Sequence, residues 1–469
     1  MYNNYSEKFE LLKNKKLSLL ENVQYFLNQI EVNFNLNAFN FVNPNILDEA
    51  LLIQKKIDNG SGGKLAGMVV AVKDNILQKN LKNTCSSKIL NNYTAIYDAT
   101  VIKKLKESDV LFIGRTNCDE FAMGSSNENS CFGPVLNPYN NRCVSGGSSG
   151  GSAVAVAANL CDVALGSDTG GSIRQPASFC GVFGIKPSYG LVSRFGLTAF
   201  ASSFDSIGCF TKNTIDSALL LSEIAGFDPN DSTSVKTEIL NYSNAKDKKY
   251  KIGIPVEYYK KGLEPEIEIA IKKVIYLLKS AGHEIFEVSL PHTEYSIAAY
   301  YILTTAEASS NLARFDGVRY GYRSKESSNL LDQYINSRSE GFGQEVKRRI
   351  MLGTFVLSTG YYDAYYKKAQ KVRNLIKKDF DKVFENIDII LTPTTPTTAF
   401  KIGEKSTDPL QMYLSDVYTT SANLAGIPGL NIPIGFNSQG LPIGAQILSK
   451  QFDESNIFNL STQIECLLK

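Results

Sequence analysis

Residues 146–176 read GGSSGGSAVAVAANLCDVALGSDTGGSIRQP, and this stretch decides the reading of the whole chain. Two glycine–serine loops flank a short apolar segment, and each loop carries a serine directly after a Gly-Gly pair: Ser148 in the first, Ser172 in the second. Glycines let backbone amides turn freely and approach a ligand closely. A serine held among such amides is placed to act as a nucleophile, with the amides stabilising the oxyanion its attack creates. Between the loops, Ser152 to Leu160 reads as a small-residue helix and Val163 to Leu165 as a strand. A phosphate-cradling loop is the competing reading, but such a loop ends in Gly-Lys-Ser/Thr, and here Gly150-Gly151-Ser152-Ala153 stands instead.

Outward from this unit the helix–strand alternation continues. Met68 to Val72 is an apolar run expected as a buried strand ending at Lys73; Thr100 to Ser108 is expected as a helix and Val110 to Ile113 as a strand. Gly181 to Ile185 follows as a strand and Ile215 to Ile224 as a helix. Tyr250–Pro255 (strand), Glu264–Ala281 (helix) and Glu284–Leu290 (strand) repeat the pattern, and the region from Ser296 to Phe384 is mostly helical. Ile387–Leu391, Leu430–Pro433 and Ile443–Leu448 read as strands, Leu414–Ala425 and Asn456–Leu467 as helices. At the N-terminus, Tyr5 to Ile30 has the apolar spacing of one amphipathic helix. Lys236–Lys249 has the weakest pattern and reads as a surface connection. The sum is an α/β fold around a large mixed or parallel sheet.

The chain has 469 residues, 43% hydrophobic and 20% charged, with a formal net charge of +2. That balance carries no whole-chain electrostatic footprint for nucleic acid or a membrane surface. No apolar run is long enough to span a bilayer, and the N-terminus lacks a signal-peptide pattern. The eight cysteines include no CxxC pair and most sit in apolar or glycine-rich context, which favours reduced thiols over a metal site or disulfide framework.

Only two histidines are present, His283 at a helix-to-strand turn and His292 after a proline, both outside the glycine–serine region. Surface or capping roles are expected for them. A lysine can replace histidine as the base, and Lys73 in GMVVAVKDNI follows a buried-looking strand. A lysine of ordinary pKa, about 10.4, is protonated and useless as a base. Burial disfavours the charged form and lowers that value by up to about 3–5 units. Two placements of Lys73 stay open at this point: its amine buried beside the serines, or its head in water.

The signature from GGSSGG through GSDTGGSIRQP, with VAVKDN upstream, resembles the amidase signature family. The resemblance implies an amidase signature fold, with a large central mixed β-sheet flanked by helices on both faces. It implies one amidase domain over 1–469: an N-terminal helical segment to about 60, a signature core at about 61–230, a helix-rich substrate-side portion at about 248–390, and C-terminal strands and helix at about 391–469. It further implies a Ser-Ser-Lys catalytic unit: Ser172 as the acyl-forming nucleophile, Ser148 as the bridge, Lys73 as the base. The Gly147–Ser148 peptide is expected to be cis. The amides of Thr169, Gly170, Gly171 and Ser172 are expected as the oxyanion hole. Asp168 and Arg174 are expected to hold the loops in shape, and Ser149, Ser152 and Ser167 to be loop hydrogen-bonders.

Four further segments narrow the substrate: DEFAMGSSNENSCFGPVLNP (119–138), AEASSNLARFDGVRYGYR (306–323), GFGQEVKRRIMLGTFVLSTGYYDAYYKKAQKVR (341–373) and SANLAGIPGLNIPIG (421–435). They resemble the glutaminase subunits of tRNA-dependent amidotransferases within that family. This implies hydrolysis of glutamine to supply ammonia, which partner subunits B and C use to amidate Glu-tRNA(Gln), with Asp-tRNA(Asn) as a second candidate. ATP and Mg²⁺ are expected at a partner subunit, with no cofactor or metal in this chain, tRNA contact mainly through the partner, no membrane association, and a cytoplasmic or organelle-interior location. Glutamine has an α-carboxylate and an α-ammonium, so its pocket needs one cation and one anion. Arg349, with Arg348 as rival, is carried over for the carboxylate, Asp416 for the ammonium, and Tyr300, with Tyr301 as rival, for the pocket wall. The alternatives are a stand-alone amidase and a non-catalytic scaffold in a tRNA-modifying complex.

Overall fold

The structure is a computed structural model in which residues 2–238, 242, 248–259, 262–406 and 408–469 are described. Among them, eleven strands form one mixed sheet. In chain order these are β1 (Phe39–Val42), β2 (Val69–Lys73), β3 (Leu111–Thr116), β4 (Val163–Asp168), β5 (Phe183–Lys186), β6 (Ser206–Thr211), β7 (Lys251–Pro255), β8 (Glu284–Val288), β9 (Ile389–Pro393), β10 (Gly429–Phe436) and β11 (Pro442–Ser449). Across the sheet the order is β1-β3-β2-β4-β6-β5-β10-β11-β9-β7-β8. The β3, β2 and β4 strands run parallel, as do β8, β7 and β9; the remaining neighbours are antiparallel.

The sheet is covered on both faces, and this shows in its central strands. In β2 every residue is buried. Val70 and Val72 enter the core formed with the helices Thr100–Glu107, Thr214–Ile224, Pro265–Ser280 and Glu454–Leu468. Val69 and Ala71 point the other way, towards the N-terminal helices and the helix Gly150–Ala157. A parallel strand buried on both sides has no polar face, so its sequence is a continuous β-branched run rather than an alternation. A third core gathers the helices Ser296–Asn311, Gln344–Leu357, Lys368–Val383 and Thr420–Ala425. No helix among the described residues is long and apolar enough to cross a membrane.

Several elements differ from the expectation. The N-terminal amphipathic stretch is two helices, Tyr5–Lys13 and Leu19–Val32. Lys15 adopts φ +56°, and Ser18 starts the second helix by accepting the Glu21 N–H at 3.3 Å. That Ser-x-x-Glu spacing is a start signal, and it overrides the apolar period running through it. The expected helix over 414–425 is a 3₁₀ turn, Leu414–Asp416, then a helix over Thr420–Ala425. The strand expected from Gly181 starts at Phe183, because Gly181 turns the chain at φ +64°. β1 and β6 were not expected at all. The Lys236–Lys249 connection lies partly outside the described residues.

The topology places the chemistry. β2 and β4 are parallel neighbours, with Val72 opposite Leu165, so the chain leaves both strands at the same edge. Lys73 ends β2 and Asp168 ends β4; the loop after β4 carries Ser172, and the loop before the helix Gly150–Ala157 carries Ser148. Crevices outside the carboxyl ends of parallel strands are where α/β sheets bind ligands.

Candidate active site

Lys73 is fully buried, and its Nζ lies 2.8 Å from Ser148 Oγ, 2.8 Å from Ser149 Oγ and 3.0 Å from Ser167 Oγ. Ser149 Oγ donates to the Ser167 carbonyl at 3.0 Å and Asn75 Nδ2 donates to Ser167 Oγ at 2.9 Å, which holds the cage around the amine. Burial pushes the Lys73 ammonium down to about 8, against the opposing pull of Cys118 and of the carboxylates Asp119, Asp168 and Asp205. Of the two placements left open by the sequence, the amine is the buried one. The Gly147–Ser148 peptide is cis, as expected.

Ser172 stands across from this cage. Its carbonyl accepts the Ser149 N–H at 3.2 Å, which joins the two loops. Its Oγ makes no hydrogen bond among the described residues, and the residue keeps 7% of its surface exposed. Lys73 and Ser148 are therefore linked, while the Ser148–Ser172 hydroxyl contact is not made; such contacts are often loose without substrate and tighten when it binds.

The loop after β4 is shaped by Asp168. Its carboxylate accepts the N–H of Gly171 at 2.9 Å and of Ile173 at 3.1 Å, and pairs with Arg174 through Nε and Nη2, each at 3.1 Å. Burial works against its charge, but the buried Arg174 guanidinium beside it holds the carboxyl down at about 2. This corrects one expectation: the Gly171 amide is turned towards Asp168 and is not free to hold an oxyanion. The amides of Thr169, Gly170 and Ser172 have no acceptor among the described residues. Gly171 has φ +143°, and a Cβ there would sit 2.2 Å from Thr419 Oγ1. A Cβ on Gly170 would meet the Tyr300 ring at 2.5 Å, so that ring lies directly over the loop.

The residues carried over for substrate converge from separate helices. Arg349 is 2% exposed, and its Nε donates to Glu345 Oε1 at 2.8 Å. Arg348 bonds the other Glu345 oxygen and its side chain is 45% exposed, so it is the solvent-side member of the pair. The two tyrosines take different places: Tyr300 covers Gly170, and Tyr301 flanks Arg349 with 5.1 Å from ring centre to guanidinium carbon. Asp416 is buried; Ser125 donates to its Oδ2, and its Oδ1 has no partner among the described residues. Oδ1 lies 3.2 Å from where a Cβ on Gly171 would be, so this oxygen faces the loop that carries Ser172. Burial raises the Asp416 carboxyl to about 7. A cavity of about 160 Å³, lined by Arg349, Glu345, Tyr413, Arg348, Ser126 and Lys405 among others, lies against Arg349; Ser172 and Asp416 are not part of its lining.

The amidase family profile matches residues 21–458 of this chain. The chain belongs to the amidase signature family. Within it, the chain is 52% identical over 473 residues to the A subunit of glutamyl-tRNA(Gln) amidotransferase from Prosthecochloris aestuarii, covering 99% of this chain and 98% of that one. To the protein of the same name from Halothermothrix orenii it is 59% identical over 406 residues, covering 86% and 85%. The crystal structure of the corresponding A subunit from Thermotoga maritima superposes with a TM-score of 0.77 at 41% identity, covering 96% of this chain and 93% of that one.

Neither histidine takes part in this amidase-signature site. Surface or capping roles were expected for both; His283 is buried rather than at the surface and accepts the backbone N–H of Tyr250 at 3.2 Å, and His292 pairs with Asp379 at 3.0 Å. The sequence reading gives no site role to Asn75, Ser125, Glu345 or Tyr413, although the first three lie in the quoted family-like segments, and it expects Ser167 only as a loop hydrogen-bonder. The one usable signal was the (i, i+4) pair Glu345–Arg349, which places both on one helical face.

Proposed function

We propose that this chain is the glutaminase subunit of a soluble, cytoplasmic tRNA-dependent amidotransferase. It releases ammonia from glutamine, and partner subunits use that ammonia to amidate Glu-tRNA(Gln). The observation that carries this reading is the buried Lys73 amine on Ser148, beside a Ser172 loop faced by the Asp416 oxygen that has no partner among the described residues, with the buried Arg349 guanidinium near enough to act on the Asp416 charge. A glutaminase pocket needs that pairing of cation and anion, and the full-length likeness to A subunits of glutamyl-tRNA(Gln) amidotransferases supports the same substrate.

The chemistry follows from the groups in place. Arg349 binds the α-carboxylate and Asp416 the α-ammonium, which lays the side-chain amide across Ser172. Ser172 Oγ attacks the amide carbon as its proton passes to Ser148 Oγ, and the Ser148 proton passes to the neutral Lys73 amine. The amides of Thr169, Gly170 and Ser172 receive the developing oxyanion; each such donor is worth about 2.7–4 kcal/mol of barrier. The proton then returns from Lys73 through Ser148 to the leaving nitrogen, ammonia departs, and a glutamyl ester stays on Ser172. Water, deprotonated along the same relay, releases glutamate. ATP and Mg²⁺ serve carboxylate activation on a partner, and subunits B and C supply that site and the tRNA contacts.

The test is glutamate release from glutamine by the purified chain, alone and with its partner subunits. Release that rises with the partners is expected. Ser172→Ala is expected to abolish it without unfolding the protein, and ammonium salts to restore amidated tRNA in the Ser172→Ala complex. Hydrolysis of other amides but not glutamine would indicate a stand-alone amidase; no turnover in any condition would indicate a scaffold.

A further inference from the structure

We propose that Glu345 is a positioning residue that makes the site selective for substrates bearing an α-carboxylate, by turning one edge of Arg349 into the pocket. The inference rests on the glutaminase reading and deepens it. A guanidinium offers five N–H donors in a rigid planar fork, with two edges able to grip a carboxylate in a bidentate way: Nε with one Nη, or the two Nη together. Glu345 Oε1 occupies Nε at 2.8 Å. The two Nη groups make no hydrogen bond among the described residues. The edge left open is therefore the end-on one.

Three observations make this a fixed arrangement. Tyr413 OH donates to the same Glu345 oxygen at 3.1 Å, from a different helix, so the carboxylate is held from two sides. Tyr413 stacks on Tyr301 with ring centres 3.7 Å apart, and both rings flank the guanidinium, at 5.7 Å and 5.1 Å, with Phe200 at 5.5 Å. This aromatic wall leaves the fork little room to rotate. The start of the helix carrying both residues is anchored too: Gly343 N–H donates to the buried Glu120 carboxylate at 2.8 Å and 3.1 Å. A carboxylate beside an arginine that must bind another carboxylate reduces the positive field. Glu345 contributes direction, and its second oxygen holds Arg348, which keeps the outer arginine from competing for substrate.

The experiment compares glutamine with 4-aminobutanamide, which is glutamine without its α-carboxylate, using the wild-type complex and the variants Glu345→Ala and Glu345→Gln. A residue that acts through Arg349 affects only the substrate that Arg349 grips. Glu345→Ala is expected to raise KM for glutamine by about 10- to 100-fold, the range of a lost charge-assisted hydrogen bond, with kcat nearly unchanged. Turnover of 4-aminobutanamide is expected to stay at its wild-type level. Glu345→Gln retains an acceptor for Nε and is expected to raise KM less. An equal loss on both substrates in both variants would mean a merely structural role and overturn the inference, as would an unchanged KM for glutamine. A wild-type complex that does not hydrolyse glutamine would overturn the glutaminase reading itself, and this inference with it.

Discussion

In the proposed reaction Lys73 and Asp416 are the two side chains whose charge state decides whether the site works, and burial moves their pKa values towards each other. The amine falls to about 8 and the carboxyl rises to about 7. The base must be neutral and the ammonium-binding group charged, so both requirements are met only on the alkaline side of these values. kcat is expected to climb with pH through about 8 as Lys73 loses its proton, while KM for glutamine falls as pH rises through about 7 and Asp416 ionises. Asp416→Asn separates the two effects. It should remove the KM dependence, leave the kcat dependence, and raise KM by at least about 30-fold, the lower end of what losing one partner of a buried charge pair costs. Steady-state glutaminase assays across this range check both limbs; a wild-type KM that is flat in pH would contradict the Asp416 assignment.

At the scale of elements, what was legible in the sequence is what local chemistry dictates. The Lys73 strand is a β-branched run buried on both faces, and the glycine–serine loops declare themselves by needing backbone that only glycine supplies. The chain-wide alternation gave an α/β fold with a large sheet. β1 and β6 stayed hidden because their pairing partners, not their own composition, make them strands: Phe39–Val42 exists as an edge on β3, and the glycine-containing Ser206–Thr211 is held between β4 and β5. The break in 414–425 has the same origin. Thr419 Oγ1 donates to the Gly170 carbonyl at 2.7 Å, and that tertiary contact with the nucleophile loop fixes the turn. The serines illustrate the limit at the site. The sequence marks Ser148 but gives Ser149 and Ser167 no tie to the lysine, and only the convergence of two strand ends shows that all three reach one amine. Gly171 shows the reverse case, a loop amide in the right stretch that a neighbouring carboxylate has already taken.

Across the whole molecule, Arg174 is one place where the two halves of the chain meet. Besides Asp168 it bonds the Thr419 carbonyl at 3.1 Å, Gln446 Oε1 of β11 at 2.6 Å, and Asn423, all of them buried. Replacing it by methionine strands a buried carboxylate. Arg174→Met is expected to destabilise the protein by about 3–5 kcal/mol, measured by urea unfolding, and to lower glutaminase activity as the loop loosens. The pH dependence has a defined sign. Asp168 sits at about 2, below the unfolded carboxylate value, so its stabilising contribution is complete above about pH 4 and is lost as pH falls towards 2. In the proposed reaction all of this scaffolding serves one step, a serine acylated through a neutral lysine. It is tested most directly by quenching the complex during glutamine turnover and mapping the acylated peptide by mass. The expected result is a glutamyl ester on Ser172, absent in Ser172→Ala and formed about 10²- to 10⁴-fold more slowly in Lys73→Ala. An adduct on any other residue, or acylation at the wild-type rate in Lys73→Ala, would contradict it.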